Sequence, residues 1–399
     1  MNNIPAGKIK EKYNTVLDRI RNVHIKTFPG HPDPIFLISN TYPGVWLEHV
    51  YDAVSWAMFD PSGIDIAWAQ VNLFLDNQKE DGQLPCYVID GSNPAHFRDT
   101  LIGYSQIQEC VSFTALCLEV YELTKDAALL ARAYEKCARW DAWQCNNRMT
   151  LGTGLIELFC IYDTGHDDSS RLADVINGCP GMDAKNCGPG PHMPLLAPDM
   201  NAVFCGSRFA LAKMARLLGR EEEADSWQQK AEDVKTNLLK HCYDPADEFF
   251  YDVDRNGNIR RHRSIHIANL FQEHLLDGEM AEKIYNRYTR NPNEFWTPYP
   301  FPSMSVSDPG FAQIRDGNCW SFYSQGLTAL RAMRWMDHYG KSDDLEYIMK
   351  QWVSAFVNSD TMNFGQELHP ITGCPSNSSE WYSSSMLLFI HSVRRLGLQ

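Results

Sequence analysis

Apolar residues recur along this chain at intervals of three and four, with polar and charged residues between them. That is the period of helices with one buried face. Ser105 followed by Gln108 makes a capping-box pattern, and Cys110, Phe113, Cys117 and Val120 continue at helical spacing. Asp199 after Pro198 opens another helix, whose Val203, Leu211, Met214 and Leu218 share a face before Gly219 stops it. The last helix carries Trp381, Leu388 and Val393, places Arg394 and Arg395 in its final turn, and ends at Gly397. Segments of this kind are predicted near 8–22, 45–58, 62–78, 105–124, 127–147, 199–218, 221–241, 263–275, 277–288, 318–338, 342–356 and 380–396. One stretch reads as a β-hairpin: EFFYDVDRNGNIR (248–260), turning at Asn256-Gly257.

The helices fall into pairs joined by alternating short and long connections. No shift in composition marks a linker, so residues 1–399 are expected to form one all-α domain of about six helical hairpins. The long connections lie at 23–44, 81–104, 148–171, 179–198, 289–317 and 358–379. Long loops are uncommon unless they carry function. If the hairpins close into a ring, these loops gather at one end and frame a pocket.

Composition changes this picture in three ways. A net charge of -14 repels phosphate backbones and anionic membrane surfaces, which argues against nucleic-acid and membrane partners. The 11 Trp, 17 Tyr and 19 Phe exceed what a core alone suggests, and flat apolar faces also stack on sugars or bases. The 12 cysteines form no C-x-x-C pair and sit mostly in helical patterns, as free thiols of a reducing compartment do. Cys179 and Cys187 flank a Gly/Pro loop and are the first pair to inspect for a bridge or a metal. The N-terminus lacks the apolar core of a secretory signal, and no apolar run reaches membrane-spanning length, so a cytoplasmic location is expected.

Two loops concentrate candidate chemistry. YDTGHDDSSR (162–171) holds three carboxylates beside His166 and Arg171, and NFGQELHPITG (363–373) holds Glu367 just before the last helix. Either alone reads equally as a solvated turn or a surface acid. Together they offer the acid and the carboxylate that glycoside hydrolysis places on opposite sides of the scissile bond. DVDRNGN (252–258) begins like a calcium loop, but its twelfth position is Arg263, so a polar β-turn fits better. Arg260, Arg261, Arg263, His262 and His266 read as a solvated basic face. No metal or cofactor motif is present in the sequence, and none is expected.

The order of motifs resembles the (α/α)6-barrel glycoside hydrolases of families 63 and 37, the processing α-glucosidase and trehalase group, and within it the short bacterial mannosylglycerate and glucosylglycerate hydrolases. YPGVWLEHVYDA (42–53) resembles the family's first motif, whose Trp-Asp pair grips the terminal sugar and falls here on Tyr51-Asp52. DGQLP (81–85) and SQIQ (105–108) resemble the loop and helix start that follow. DTGHDDSSR (163–171) is similar to E-S-G-W-D-x-S-x-R, which implies that Asp167 is the general acid. FWTPYPFPSMSVSDPGF (295–311) and IRDGNCW (314–320) resemble the run to W-R-G-P-x-W, which puts Arg315 and Trp320 toward substrate. QELHPITG (366–373) with SEWYSS (379–384) resembles E-x-Y-x-P-x-T-G and its following Trp, which implies that Glu367 is the general base.

The resemblance implies an (α/α)6 toroid and an inverting hydrolase of a small α-linked glycoside or disaccharide, with the two carboxyls roughly 6.5–9.5 Å apart. It further implies that Asp52, Gln106, Arg171 and Arg315 hold hydroxyls, and that Trp46, Tyr51, Trp320 and Trp381 wall the pocket. Tyr51, His166, Asp163 and Ile314 depart from the family pattern around the terminal-sugar site. His166 beside the acid is expected to shift its working pH, because His titrates near neutrality. Two rivals remain open at this level: a sugar 2-epimerase, which uses paired His on the same barrel, and a carbohydrate-binding relative without turnover.

Overall fold

Two kinds of helix alternate along the chain, and their sequences say why. The computed structural model describes residues 6–39, 42–92, 101–187, 190–312, 318–359 and 363–399. Its α-helices, in order, are α1 (Ala6–Arg19), α2 (Val50–Phe59), α3 (Ile64–Asp76), α4 (Phe113–Thr124), α5 (Ala127–Arg148), α6 (Pro198–Leu217), α7 (Glu221–Cys242), α8 (Ile267–Gln272), α9 (Gly278–Ile284), α10 (Gly326–Arg331), α11 (Ser342–Asn358) and α12 (Ser383–Arg395). Among the even-numbered helices α6 is covered on all sides: 16 of its 20 residues are buried. Odd-numbered ones bury a stripe, as α7 does with Ala224, Trp227, Ala231, Val234 and Leu238.

The even helices therefore make an inner ring. α2 packs on α4, α4 on α6, α6 on α8, α10 on α12 and α12 back on α2, while α8 meets the 3-10 turn Ala332–Arg334 that extends α10. The odd helices lie outside, with α3 against α2 and α4, α5 against α4 and α6, α7 against α6, and α1 against α11 and α12. The fold is an (α/α)6 toroid. Buried Asp52 of α2 helps close the ring, since its carboxylate accepts hydrogen bonds from Ser383 (2.5 Å) and Ser384 (2.9 Å) at the start of α12.

Connections from an inner helix to the next outer one are short, such as residues 125–126 and 218–220. Those from an outer helix to the next inner one are long: 77–112 and 149–197 among them. Short strands stitch these long loops to one another. Gly44–Trp46, Tyr87–Ile89 and Ile102–Gly103 form one sheet, and Ser324–Gln325 pairs antiparallel with Glu367–Leu368. The expected hairpin is present as Asp252–Val253 against Ile259–Arg260, and it extends a four-stranded sheet through Leu195–Leu196 to Glu157–Leu158. Asp254 organises its turn by accepting the N–H groups of Asn256 and Asn258, both at 2.9 Å, while Gly257 supplies a φ of +83°.

Several sequence expectations need correction. α4 begins at Phe113 rather than 105, capped by Ser112, whose hydroxyl accepts the Ala115 N–H at 3.0 Å. Gln108 has a φ of +51°, which no helix accommodates. The segments predicted at 263–275 and 318–338 shrink to α8 and α10, because their first residues belong to the loop layer. Trp381 precedes α12, with a φ of +57°. The basic face is acid-paired: Arg260 binds Asp174, Arg261 binds Asp244, and His266 is fully buried. All twelve cysteines are free, so Cys179 and Cys187 are not bridged. Among the described residues no helix is long and apolar enough to cross a membrane.

The cap assignment is testable. Ser112→Ala should lower the unfolding free energy by about 1 kcal/mol in a denaturant titration, the usual cost of losing a Ser cap.

Candidate active site

The long loops enclose a cleft at the mouth of the ring. Trp46, Glu48 and His49 enter it from the strand and 3-10 turn before α2, and Gln106 and Gln108 from the loop before α4. Gly165 and Asp167 come from the loop before α6, Asn318 and Trp320 from the loop before α10, and Gln366 from the loop before α12. Tyr42 and Tyr382 complete the wall. Burial, with the nearby Asp167 carboxylate adding to it, pushes the Tyr42 phenol well above its ordinary range, so it stays protonated.

The loop carrying Asp167 is pinned at both ends by buried ion pairs. At its start, the carboxylate of Asp163 binds Arg148 (2.6 Å) and accepts the backbone N–H groups of Ile107 and Phe159, each at 2.9 Å. At its end, Arg171 makes two hydrogen bonds to Asp199 (2.8 and 2.9 Å) and two to Asp252 (2.6 and 2.7 Å). Between them Gly165 adopts a φ of +68°, and a Cβ there would lie 2.6 Å from the Cys110 sulfur. The loop thus turns tightly against Gln108 and Glu48 and presents Asp167 to the cleft. Asp167 Oδ2 accepts from the Asn318 amide at 2.7 Å, and Asn318 Oδ1 accepts from the Gln366 amide at 2.7 Å. Asp168, the neighbouring carboxylate, is exposed.

Of the residues singled out from sequence, Asp167, Trp46, Gln106 and Trp320 meet in this cleft. The others stand elsewhere. Arg171 has no direction left for a hydroxyl, being shared between Asp199 and Asp252. Asp52 ties α2 to α12, and Tyr51 lies beneath the Arg334 guanidinium, facing a separate cavity with Glu119 and His274. Trp381 lies outside the cleft with Arg19 stacked 4.3 Å over its ring. Glu367 is fully buried behind the wall: its Oε1 accepts from the Cys319 N–H (2.7 Å) and the Gln325 amide (2.9 Å), and its Oε2 from the Ser378 hydroxyl (3.2 Å). Burial pushes its carboxyl above the ordinary range despite those donors. The neighbouring Gln366 faces the cleft instead. Arg315 and Ile314 lie outside the described residues.

His166 lines a second cavity next to the cleft and stacks on Trp320, with ring centroids 4.4 Å apart. Burial pushes its pKa down to about 3, so it is neutral across the physiological range and does not tune the acid there. The cluster of Cys160, Asp163 and Cys179 is the one group of potential metal ligands among the described residues, and its carboxylate is already committed to Arg148.

Comparison with known proteins fits this geometry. The family described as the mannosylglycerate hydrolase MGH1-like glycoside hydrolase domain matches residues 42–385. The chain belongs to that family. As an MGH1-like glycoside hydrolase it shares its fold with the GH63 mannosylglycerate hydrolase of Thermus thermophilus, solved with Tris and D-glycerate: the TM-score is 0.74 at 16% identity, covering 96% of this chain and 99% of that one. It is also similar in fold to the neutral trehalase Nth1 of Saccharomyces cerevisiae, with a TM-score of 0.68 at 13% identity over 99% of this chain and 80% of that one. An uncharacterized protein of Borreliella burgdorferi is 27% identical over 127 residues, which span 32% of this chain and 26% of that relative's length.

Sequence reasoning missed Glu48, His49, Gln108, Asn318 and Gln366 in this MGH1-like cleft. Glu48 and His49 were within sight, inside the same motif as Tyr51-Asp52 but three residues earlier, on the turn rather than on the helix. His49 is buried with its Nε2 2.7 Å from the Tyr382 hydroxyl, and burial lowers its pKa.

Two outcomes follow. Arg171→Met strands two buried carboxylates, so denaturant unfolding should show a loss of about 3–5 kcal/mol. Buried neutral histidines also set an acid limit to stability. His166 falls to about 3 and His24, His266 and His391 to about 4, below the ordinary 6.5. Their contribution is complete above pH 6.5 and drains away as the unfolded chain takes up protons below it. The thermal midpoint should fall from about pH 6.5 toward 4, less steeply in His166→Asn.

Proposed function

We propose that this glycoside hydrolase cleaves a small α-linked glycoside or disaccharide with inversion, Asp167 protonating the glycosidic oxygen as general acid. The observation that carries this reading is the placement of Asp167. It stands on the wall of a cleft whose other lining residues include four amides, three phenols, the Trp46 and Trp320 rings, and the Glu48 and His49 side chains. Sugars present both donors and acceptors together with apolar ring faces, and amides, phenols and indoles match all three. The related Thermus thermophilus enzyme has been solved with glucose and with D-glycerate, a free sugar and a hydroxy acid of the kind that hydrolysis of a small glycoside releases.

A panel of small α-glucosides and α-mannosides, including the glycerate-linked ones, should yield at least one that is hydrolysed, with the β-anomer first seen by NMR. Asp167→Asn should lower kcat/KM on that compound by about 10²–10⁴-fold, the range of general-acid catalysis, without moving the thermal midpoint. An α-anomer as first product refutes inversion. Epimerisation of a free sugar without bond cleavage refutes the reaction class.

A further inference from the structure

His49 and Tyr382 meet where the ring closes. His49 directly precedes α2 and Tyr382 directly precedes α12, and the hydrogen bonds from Ser383 and Ser384 to Asp52 tie those two helix starts together. The two rings stand edge to face with centroids 5.7 Å apart, and the His49 Nε2 lies 2.7 Å from the Tyr382 hydroxyl oxygen. The Gln70 amide donates to the His49 carbonyl at 3.2 Å and so holds the backbone beneath the ring. Both side chains are buried in the wall of the cleft.

The place of one proton decides what this pair can do. Burial lowers the His49 pKa, so the ring is neutral and carries a single N–H. On Nδ1 that proton would be a buried donor with nothing to receive it, because Nδ1 has no hydrogen-bond partner. Native structures leave buried N–H donors orphaned more rarely than acceptors. With the proton on Nε2 the orphan becomes a bare lone pair, and Nε2 donates to the Tyr382 oxygen. The Tyr382 proton must then point away from His49. Burial keeps that phenol protonated, and among the described residues its hydroxyl has no hydrogen-bond partner besides His49. Its ring lines the cleft, so the O–H is left for whatever fills the cleft.

We propose that Tyr382 is a substrate-binding residue that donates its hydroxyl hydrogen bond to an oxygen of the bound sugar, and that His49, protonated on Nε2, is the positioning residue that fixes this direction. This rests on the glycoside hydrolase reading above. The amides of Gln106, Gln108, Asn318 and Gln366 each offer a donor and an acceptor, so they suit a hydroxyl in either sense. Tyr382 is different, because its proton is satisfied only by an acceptor in the cleft. The ring position that faces it must therefore present one. A hydroxyl oxygen does so, a fluorine does so weakly, and a hydrogen does not.

Two measurements test this. In nitrogen-labelled wild-type protein without sugar, at neutral pH, NMR should show His49 with Nε2 protonated and Nδ1 bare, the resonances being assigned by their loss in His49→Asn. The binding probes are D-glucose and D-mannose with their monodeoxy and monodeoxyfluoro counterparts, titrated by calorimetry into wild type and Tyr382→Phe. At one ring position the wild type should bind the deoxy sugar about 2–10-fold more weakly than the parent, the range of one neutral hydrogen bond, with the fluoro sugar in between. In Tyr382→Phe the parent should weaken by the same factor and the fluoro sugar should lose its advantage over the deoxy one, at an unchanged thermal midpoint. A proton on Nδ1, wild-type affinities in Tyr382→Phe, or a loss in that variant that falls equally on every analogue overturns the assignment; the last is what a merely structural role predicts. Failure of the wild type to bind either sugar overturns the sugar contact, and if no glycoside of the panel is cleaved either, the hydrolase reading falls with it. The tautomer, read without any sugar, is decided separately.

Discussion

The Arg171 guanidinium, buried between Asp199 and Asp252, is the interaction on which the site depends. It joins three pieces of chain far apart in sequence: the Asp167 loop, the first turn of α6, and the hairpin strand Asp252–Val253. Taking three charges out of water is costly, and such a cluster persists only when every donor and acceptor is matched, as the two bidentate pairs achieve here. Arg148 and Asp163 do the same at the other end of the loop. With both ends fixed, the residues between have little freedom. Asp167 thus sits on a segment whose two ends are held by buried charge pairs, the kind of support that keeps a side chain in one geometry.

The toroid explains why such pairing is needed. Inner helices are buried on all sides, so polar groups at their ends must find partners in the loop layer above them. Asp199 in the first turn of α6 does so through Arg171, Arg331 at the end of α10 through Glu48, and Ser383 and Ser384 at the start of α12 through Asp52. Loop and ring are thus stabilised by the same contacts. A substitution in the loop layer is felt in the barrel, and one at an inner helix end is felt in the cleft.

How much of this was legible in the sequence follows from which periods were available to read. All twelve helices were visible in apolar spacing, because long amphipathic stretches such as α7 repeat their pattern many times. Helix ends were not, because a cap is a local contact. Ser105 and Ser112 look alike on paper, and only the left-handed Gln108, with Ile107 N–H bound to Asp163, decides between them. The site was legible to the nearest motif and not to the residue. Tyr51 and Glu48 lie within one turn of chain, but the 3-10 turn Leu47–His49 sends Glu48 into the cleft while α2 carries Tyr51 away from it. On the strand before α12 a shift of one residue exchanges Gln366 for Glu367, since neighbours on a strand face opposite sides.

The aromatic excess resolves the same way. Trp56, Trp143, Trp335 and Trp352 are fully buried and serve the core, whereas Trp46 and Trp320 turn a face to the cleft. Among the described lining residues, amides outnumber carboxylates four to two. Gln106, Gln108, Asn318 and Gln366 offer amides that both donate and accept. A buried amide left unpaired is penalised, so walls of this kind discriminate by hydrogen bonds, whereas an apolar wall discriminates weakly between hydroxylated molecules. The two carboxylates on that wall have different partners: Asp167 accepts from Asn318, which accepts in turn from Gln366, whereas Glu48 is ion-paired to Arg331.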